Sequence, residues 1–210
     1  MKKRAFLKLS AAALTGTALT NVASCTPATK SDVLILKNWA GNLKYSNNNL
    51  IEPGTLEEVK TAVGSSPKLR VLGTRHCFNK IADTNANLIS TAKLNRVLAI
   101  DSENKSVTVE AGIRYGEFCK QIHEAGFAIH NLASLPHISV AGACATATHG
   151  SGVSNGNLPT NISAIEMVTA NGEVVTLSRE KDGETFYGAV VGLGSLGVVT
   201  KLTLDLIPTF

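Results

Sequence analysis

Aromatic residues are scarce in this chain: one Trp, three Tyr and six Phe among 210 residues. Apolar content is nonetheless ordinary at 44%, which indicates neither a disordered chain nor a membrane bundle. No pair among the four cysteines forms a C-x-x-C, and His123, His130, His137 and His149 lack close ligand spacing. That argues against a zinc site or any other resident metal. There is no G-x-S-x-G nucleophile elbow and no Walker loop, so the commonest hydrolase and NTPase readings fall away. No acidic residue precedes Cys25, whereas Lys2, Lys3, Arg4 and Lys8 do. The rest of the chain balances sixteen basic against sixteen acidic residues, which removes the electrostatic argument for a nucleic-acid partner. Long hydrophobic runs are also missing. The Ala/Leu/Thr-rich stretch from Leu9 to Leu19 is too short for a membrane span, which needs about 20 apolar residues.

That stretch follows Lys2-Lys3-Arg4 and has the layout of an export signal over residues 1–24. Lys3-Arg4-Ala5-Phe6-Leu7-Lys8 resembles a twin-arginine signal with Lys for the first Arg, and Val22-Ala23-Ser24-Cys25 resembles a bacterial lipobox. Cys25 is then the expected lipidation site, and the chain is expected to be exported and anchored on the periplasmic or cell-surface side of a membrane. An ordinary signal peptide that happens to contain a cysteine is the plainer alternative. Residues 25–37 follow as a tether.

Beyond the tether, Leu50-Ile51 reads as a short strand and Thr55-Leu56-Glu57-Glu58 has the form of a capping box. Leu56, Val59, Ala62 and Val63 follow at helical spacing, and Pro67 closes the helix. Leu69 to Leu72 is a strand, and Gly73 opens the loop GTRHCFN with His76 at its tip. From Val97 the pattern turns antiparallel. Val97–Asp101 and Ser106–Glu110 make a hairpin, Tyr115–Ala125 an amphipathic helix ended by Gly126, and Asn171-Gly172 a second hairpin turn between 162–168 and 173–177. Residues 184–191 fit a short helix. Gly192 to Gly197 is a glycine-rich turn that feeds a last strand, 198–206. Because that turn runs from helix into strand, it is not a Rossmann phosphate loop. The pattern is α+β: one lobe over residues 38–95, with strand, helix and strand, and a mainly antiparallel one over 96–210.

Between the hairpins lies Asn131 to Gly156, almost all small, apolar or hydroxyl-bearing, with two histidines but no carboxylate and no lysine. From Val140 to Thr148 no side chain exceeds valine or threonine in size. Such a run lets backbone N–H groups approach a large, flat, phosphate-bearing cofactor. It reads equally well as a close-packed helix facing a neighbour. His76 is similarly double: a loop histidine is usually a surface residue, but Gly73, Thr74, Arg75 and Asn79 around it suit an anionic ligand.

Gly73 to Asn79, taken with Ser134-Leu135-Pro136-His137-Ile138-Ser139-Val140-Ala141-Gly142 and Thr148-His149-Gly150-Ser151-Gly152, resembles the FAD-binding (PCMH-type) half of the vanillyl-alcohol oxidase flavoprotein superfamily. Asn38 to Asn42 and Leu193 to Thr200 match most nearly its alditol (xylitol) and sugar-lactone oxidase branch, which includes D-arabinono-1,4-lactone oxidases. The resemblance covers residues 38–210. It implies two lobes holding FAD between them, with Val71, Leu72, Gly73, Thr74, Arg75, His76 and Cys77 around the diphosphate. His76 is the matching position for a covalent bond to the flavin ring. Ser134, Ser139, Gly142, Ala143, Cys144, Ala145 and Val199 match cofactor-lining positions, and His149 lies in a matching motif. Relatives often carry a small residue where this chain has Arg75.

The resemblance also implies the reaction: oxidation of a CH–OH group of a polyol or sugar lactone, with oxygen or another electron acceptor. The catalytic groups of such enzymes belong to a second, substrate-covering domain that has no counterpart in residues 38–210, so that domain is expected on a further segment or a separate chain. A flavin-binding module without catalysis is the alternative.

Overall fold

The computed structural model describes residues 35–210, which gather into one compact unit. The proposed leader, Cys25 and the start of the tether lie outside the described residues. Strand β1 (Leu50–Ile51) leads into helix α1 (Leu56–Gly64) and strand β2 (Leu69–Leu72). Thr55 caps α1 by accepting the Glu58 N–H at 3.2 Å, as the capping box implies. The Glu58 carboxylate reaches one residue further back than that motif implies, accepting the Gly54 N–H at 2.7 Å. Val59, Ala62 and Val63 form the buried stripe of α1.

Strand β3 (Asn87–Ser90) completes this lobe, lying parallel between β1 and β2 in the order β1-β3-β2. The sequence pattern does not reveal it: Asn-Leu-Ile-Ser is four residues long, and its strand character comes from two partners far away in the chain.

The second lobe is a five-stranded antiparallel sheet in the order β4-β5-β9-β7-β8, made of β4 (Val97–Asp101), β5 (Ser106–Glu110), β7 (Ile162–Val168), β8 (Val174–Ser178) and β9 (Val198–Asp205). Both expected hairpins are present, and Gly172 supplies the left-handed turn residue with φ 81°. Along β9 buried and half-buried residues alternate strictly, the pattern of a strand with one face on the core. Helix α2 (Tyr115–Glu124) lays Tyr115, Phe118 and Ile122 onto that core. A two-residue strand β6 (Phe127–Ala128) pairs with β10 (Ile207–Pro208) beside it.

Two expectations shift. The stretch rich in small residues contributes only a six-residue helix, α3 (Val140–Ala145). The helix expected at 184–191 belongs to a longer one, α4 (Arg179–Val190), broken at Gly183, whose φ of 47° and ψ of −118° are not helical. The extra turn is specified locally: Ser178 accepts the Lys181 N–H, and the Asp182 carboxylate accepts the Ser178 N–H at 2.7 Å.

The lobes share buried surface. Val59, Ala62, Val63 and Ile89 of the first pack in one cluster with Val168 and Val198 of the second. Among the described residues no helix is long and apolar enough to cross a membrane.

Candidate cofactor-binding site

Three segments meet around a cleft of about 530 Å³, within the range of small-molecule sites. The first is the loop after β2. Gly73 lets that loop close on α3: a Cβ at Gly73 would stand 3.2 Å from Ser139 Oγ and 3.5 Å from the Gly142 Cα. The second is the stretch Ile138–Thr148, held from behind by main-chain bonds to the β5–α2 connection. Val140 N–H donates to the Ile113 carbonyl at 2.9 Å and Ala141 N–H to Ala111 at 3.1 Å. The third is the glycine turn before β9, tied to α3 by Leu193 N–H donating to the Ala145 carbonyl at 3.2 Å. Ile165, Met167, Val199 and Leu202 of the sheet floor the space between them. The small residues thus do both things their composition allowed, forming a close-packed helix and one wall of the cleft.

Of the residues singled out from sequence, Val71, Leu72, Gly73, Thr74, Arg75, His76, Cys77, Gly142, Ala143, Cys144, Ala145 and Val199 line the cleft. Ser139 is buried just behind the wall, its hydroxyl against Gly73 and Gly142 and its N–H donating to Thr74 Oγ1 at 3.4 Å. Ser134 is exposed and outside the lining. His149 is exposed too, with Nδ1 paired to the Gly150 carbonyl at 2.8 Å, so its imidazole is engaged in a local turn rather than in the cleft.

His76 has an environment of its own. Its ring lies 4.8 Å from that of Trp39 and 4.7 Å from that of His137. Both His76 ring nitrogens are enclosed without a hydrogen-bond partner, as is Nε2 of His137. Burial, reinforced by the neighbouring His137, lowers the His76 pKa from the usual imidazole value, which keeps the ring neutral and its lone pair free. The Trp39 main-chain N–H donates to the Arg75 carbonyl at 2.8 Å, and Asn38 Nδ2 donates to the Cys77 carbonyl at 3.1 Å. Sequence reasoning quoted Trp39 and His137 in matching motifs but assigned neither a contact with His76. Their separation in sequence hides that contact.

Burial disfavours the thiolate form of both thiols in the cleft. Burial pushes Cys144 up to about 12, against a smaller lowering by the Tyr115 hydroxyl 3.6 Å away. Burial also raises Cys77, with Arg70 opposing. Among the described residues no group of three His, Cys, Asp or Glu is placed to hold a metal.

A flavin dinucleotide suits these residues. The walls are mainly apolar, the loop and α3 approach so closely that a Cβ at Gly73 would stand 3.5 Å from the Gly142 Cα, and a neutral imidazole with both nitrogens unpartnered borders the cleft.

Residues 48–178 match the family described as FAD binding domain. The chain belongs to this family. The FAD-binding domain is 45% identical over 176 residues to alditol oxidase from a Streptomyces species, an alignment that spans 82% of this chain and 42% of that protein. It is 34% identical to bovine L-gulonolactone oxidase over 178 residues, 83% of this chain and 40% of the other. Its identity to L-gulono-1,4-lactone dehydrogenase of Mycobacterium tuberculosis is also 34%, over 84% of this chain and 41% of that enzyme. The FAD-binding domain therefore spans about two fifths of the length of these relatives, and its cofactor is FAD.

Proposed function

We propose that this FAD-binding domain serves an oxidoreductase that oxidises a CH–OH group of a polyol or sugar lactone. The observation that carries the reading is the 45% identity to alditol oxidase over 82% of the chain. When bound, FAD supplies a two-electron acceptor for the hydride leaving the carbinol carbon. The chain's own residues bind and orient it. Gly73 and Gly142 bring backbone up to the ligand, and the apolar floor of Ile165, Met167 and Val199 excludes water from beneath. His76, neutral and unpartnered, is the proposed point of covalent attachment.

The substrate's hydroxyl proton needs a base within hydrogen-bond reach. Among the described residues lining the cleft there is no carboxylate. We assign that base to a substrate domain on a further segment or a separate chain, in keeping with relatives of which this chain spans about two fifths. The electron acceptor, oxygen or another, is set where that domain meets the flavin. Export and lipid anchoring through Cys25 complete the reading and rest on the sequence motifs alone.

A chimaera tests it. Residues 35–210 placed in exchange for the matching part of Streptomyces alditol oxidase should bind FAD and be bleached by xylitol under anaerobic conditions. A folded, flavin-loaded chimaera that no polyol or sugar lactone reduces would favour the non-catalytic module.

A further inference from the structure

The cleft is nearly without charge. Among the described residues that line it, Arg75 is the one permanently charged side chain, yet the ligand it holds carries two negative charges on its diphosphate. Helix α3 runs only from Val140 to Ala145, too short to build a substantial macrodipole, so beyond main-chain N–H groups a full opposite charge is left to a side chain. Arg75 occupies the loop with φ 65°, the left-handed conformation that costs any residue with a Cβ and favours glycine. A non-glycine held in such a state points to a role for its side chain. Its guanidinium makes one modest bond, Nη1 donating to the Lys37 carbonyl at 3.2 Å, and the side chain is otherwise exposed. That leaves most of its five donors free, in a fork that fits phosphate oxygens.

We infer that Arg75 is the diphosphate-binding residue of this domain, supplying by one charged fork the neutralisation that the rest of the lining lacks. The inference rests on the FAD reading above. The Lys37 contact offers a competing role, a clasp holding the 36–45 segment against the loop, and the two roles separate by ligand. Riboflavin shares the isoalloxazine ring of FAD but has no phosphate.

The experiment titrates FAD and riboflavin into the full chain by fluorescence quenching, in a His76→Ala background so that binding stays reversible. Arg75→Gly suits the local φ and preserves the fold, which a melting curve checks. At low salt it should weaken FAD by about 10- to 100-fold, the loss of a charge-assisted pair, and leave riboflavin unchanged. Added salt should weaken FAD in the parent and hardly at all in the variant, and Arg75→Lys should recover part of the loss. Equal weakening of both ligands means the clasp alone and overturns the inference, as does unchanged FAD affinity in Arg75→Gly. A parent that takes up neither ligand would instead refute the FAD reading itself.

Discussion

Gly112 joins the two lobes, and its replacement by alanine is expected to cost more than any other single methyl added along the β5–α2 connection. Its N–H donates to the Leu94 carbonyl at 2.8 Å, and Leu94 N–H donates to the Thr91 carbonyl at 2.9 Å. A Cβ built on Gly112 falls onto the Thr91 carbonyl oxygen, 2.7 Å from the Thr91 carbonyl carbon and 2.9 Å from the Leu94 oxygen. All of these are backbone atoms, so no rotamer change relieves the clash; the 91–94 turn must move. Overpacking of this kind costs about 1–3 kcal/mol. Losing both main-chain bonds adds about 0.5–1.5 kcal/mol each. The total, about 2–6 kcal/mol, is a large part of the roughly 5–15 kcal/mol of an ordinary domain. At about 2–4 °C per kcal/mol for a chain of this size, the melting midpoint should drop by roughly 4–24 °C. Gly64→Ala is the control, since its Cβ would meet nothing within 4 Å. Thermal and urea unfolding of both variants give the comparison. If Gly112→Ala melts where Gly64→Ala does, the lobe contact drawn here is wrong.

Burial and His137 depress the His76 pKa, so between the folded value and the unfolded value of about 6.5 the unfolded chain binds the extra proton. This part of the stability is complete above about pH 6.5 and is lost as pH falls toward the folded pKa; a urea midpoint series should therefore decline less steeply on mild acidification in His76→Phe than in wild type. At lower pH a second loss is expected. Burial opposes ionisation of Glu110, but the Arg96 side chain and backbone N–H outweigh it and hold the carboxyl below its usual value, so this contribution persists above the unfolded carboxylate value of about 4.3 and is lost as pH falls through the lowered one. Glu110→Gln should flatten that acid limb, and an unchanged limb would count against the pairing. Cys25→Ala should release the mature protein from the membrane fraction, because a lipobox without its cysteine cannot be acylated; partitioning like wild type would show the motif to be accidental.

The fold was legible wherever its determinants are local. Thr55 before the apolar stripe of α1, Asn171-Gly172 between two strands and the alternation along Val198–Asp205 each carry their own signal within a few residues. Strand β3 is the contrary case: Leu88 and Ile89 become strand by pairing with Leu50–Ile51 on one side and Arg70–Val71 on the other. The break in α4 was hidden because Gly183 interrupts the apolar period while the Ser178–Asp182 cap restarts it.

For the site, the glycine-opened loop and the run of small residues announced two of the three walls. The third wall read from its residues as a turn feeding a strand, and only the family resemblance of Leu193 to Thr200 tied it to the cofactor. What sequence could not supply is the meeting of Trp39, His76 and His137, since nothing in the spacing of residues 39, 76 and 137 demands it. Ser134 and His149 stand apart from the other matched positions: both are exposed, and neither is among the residues that line the cleft.

The central claim, that these residues form a working FAD site with His76 poised to hold the ring, is tested most directly by the visible spectrum of the purified chain before and after acid precipitation. The account predicts a flavin spectrum in the native protein, or its appearance in equal proportion on adding FAD, with the colour remaining in the acid pellet of wild type and leaving that of His76→Ala. A colourless chain that takes up no FAD would contradict the account outright. A yellow native protein with a colourless pellet would leave FAD bound but refute the attachment at His76.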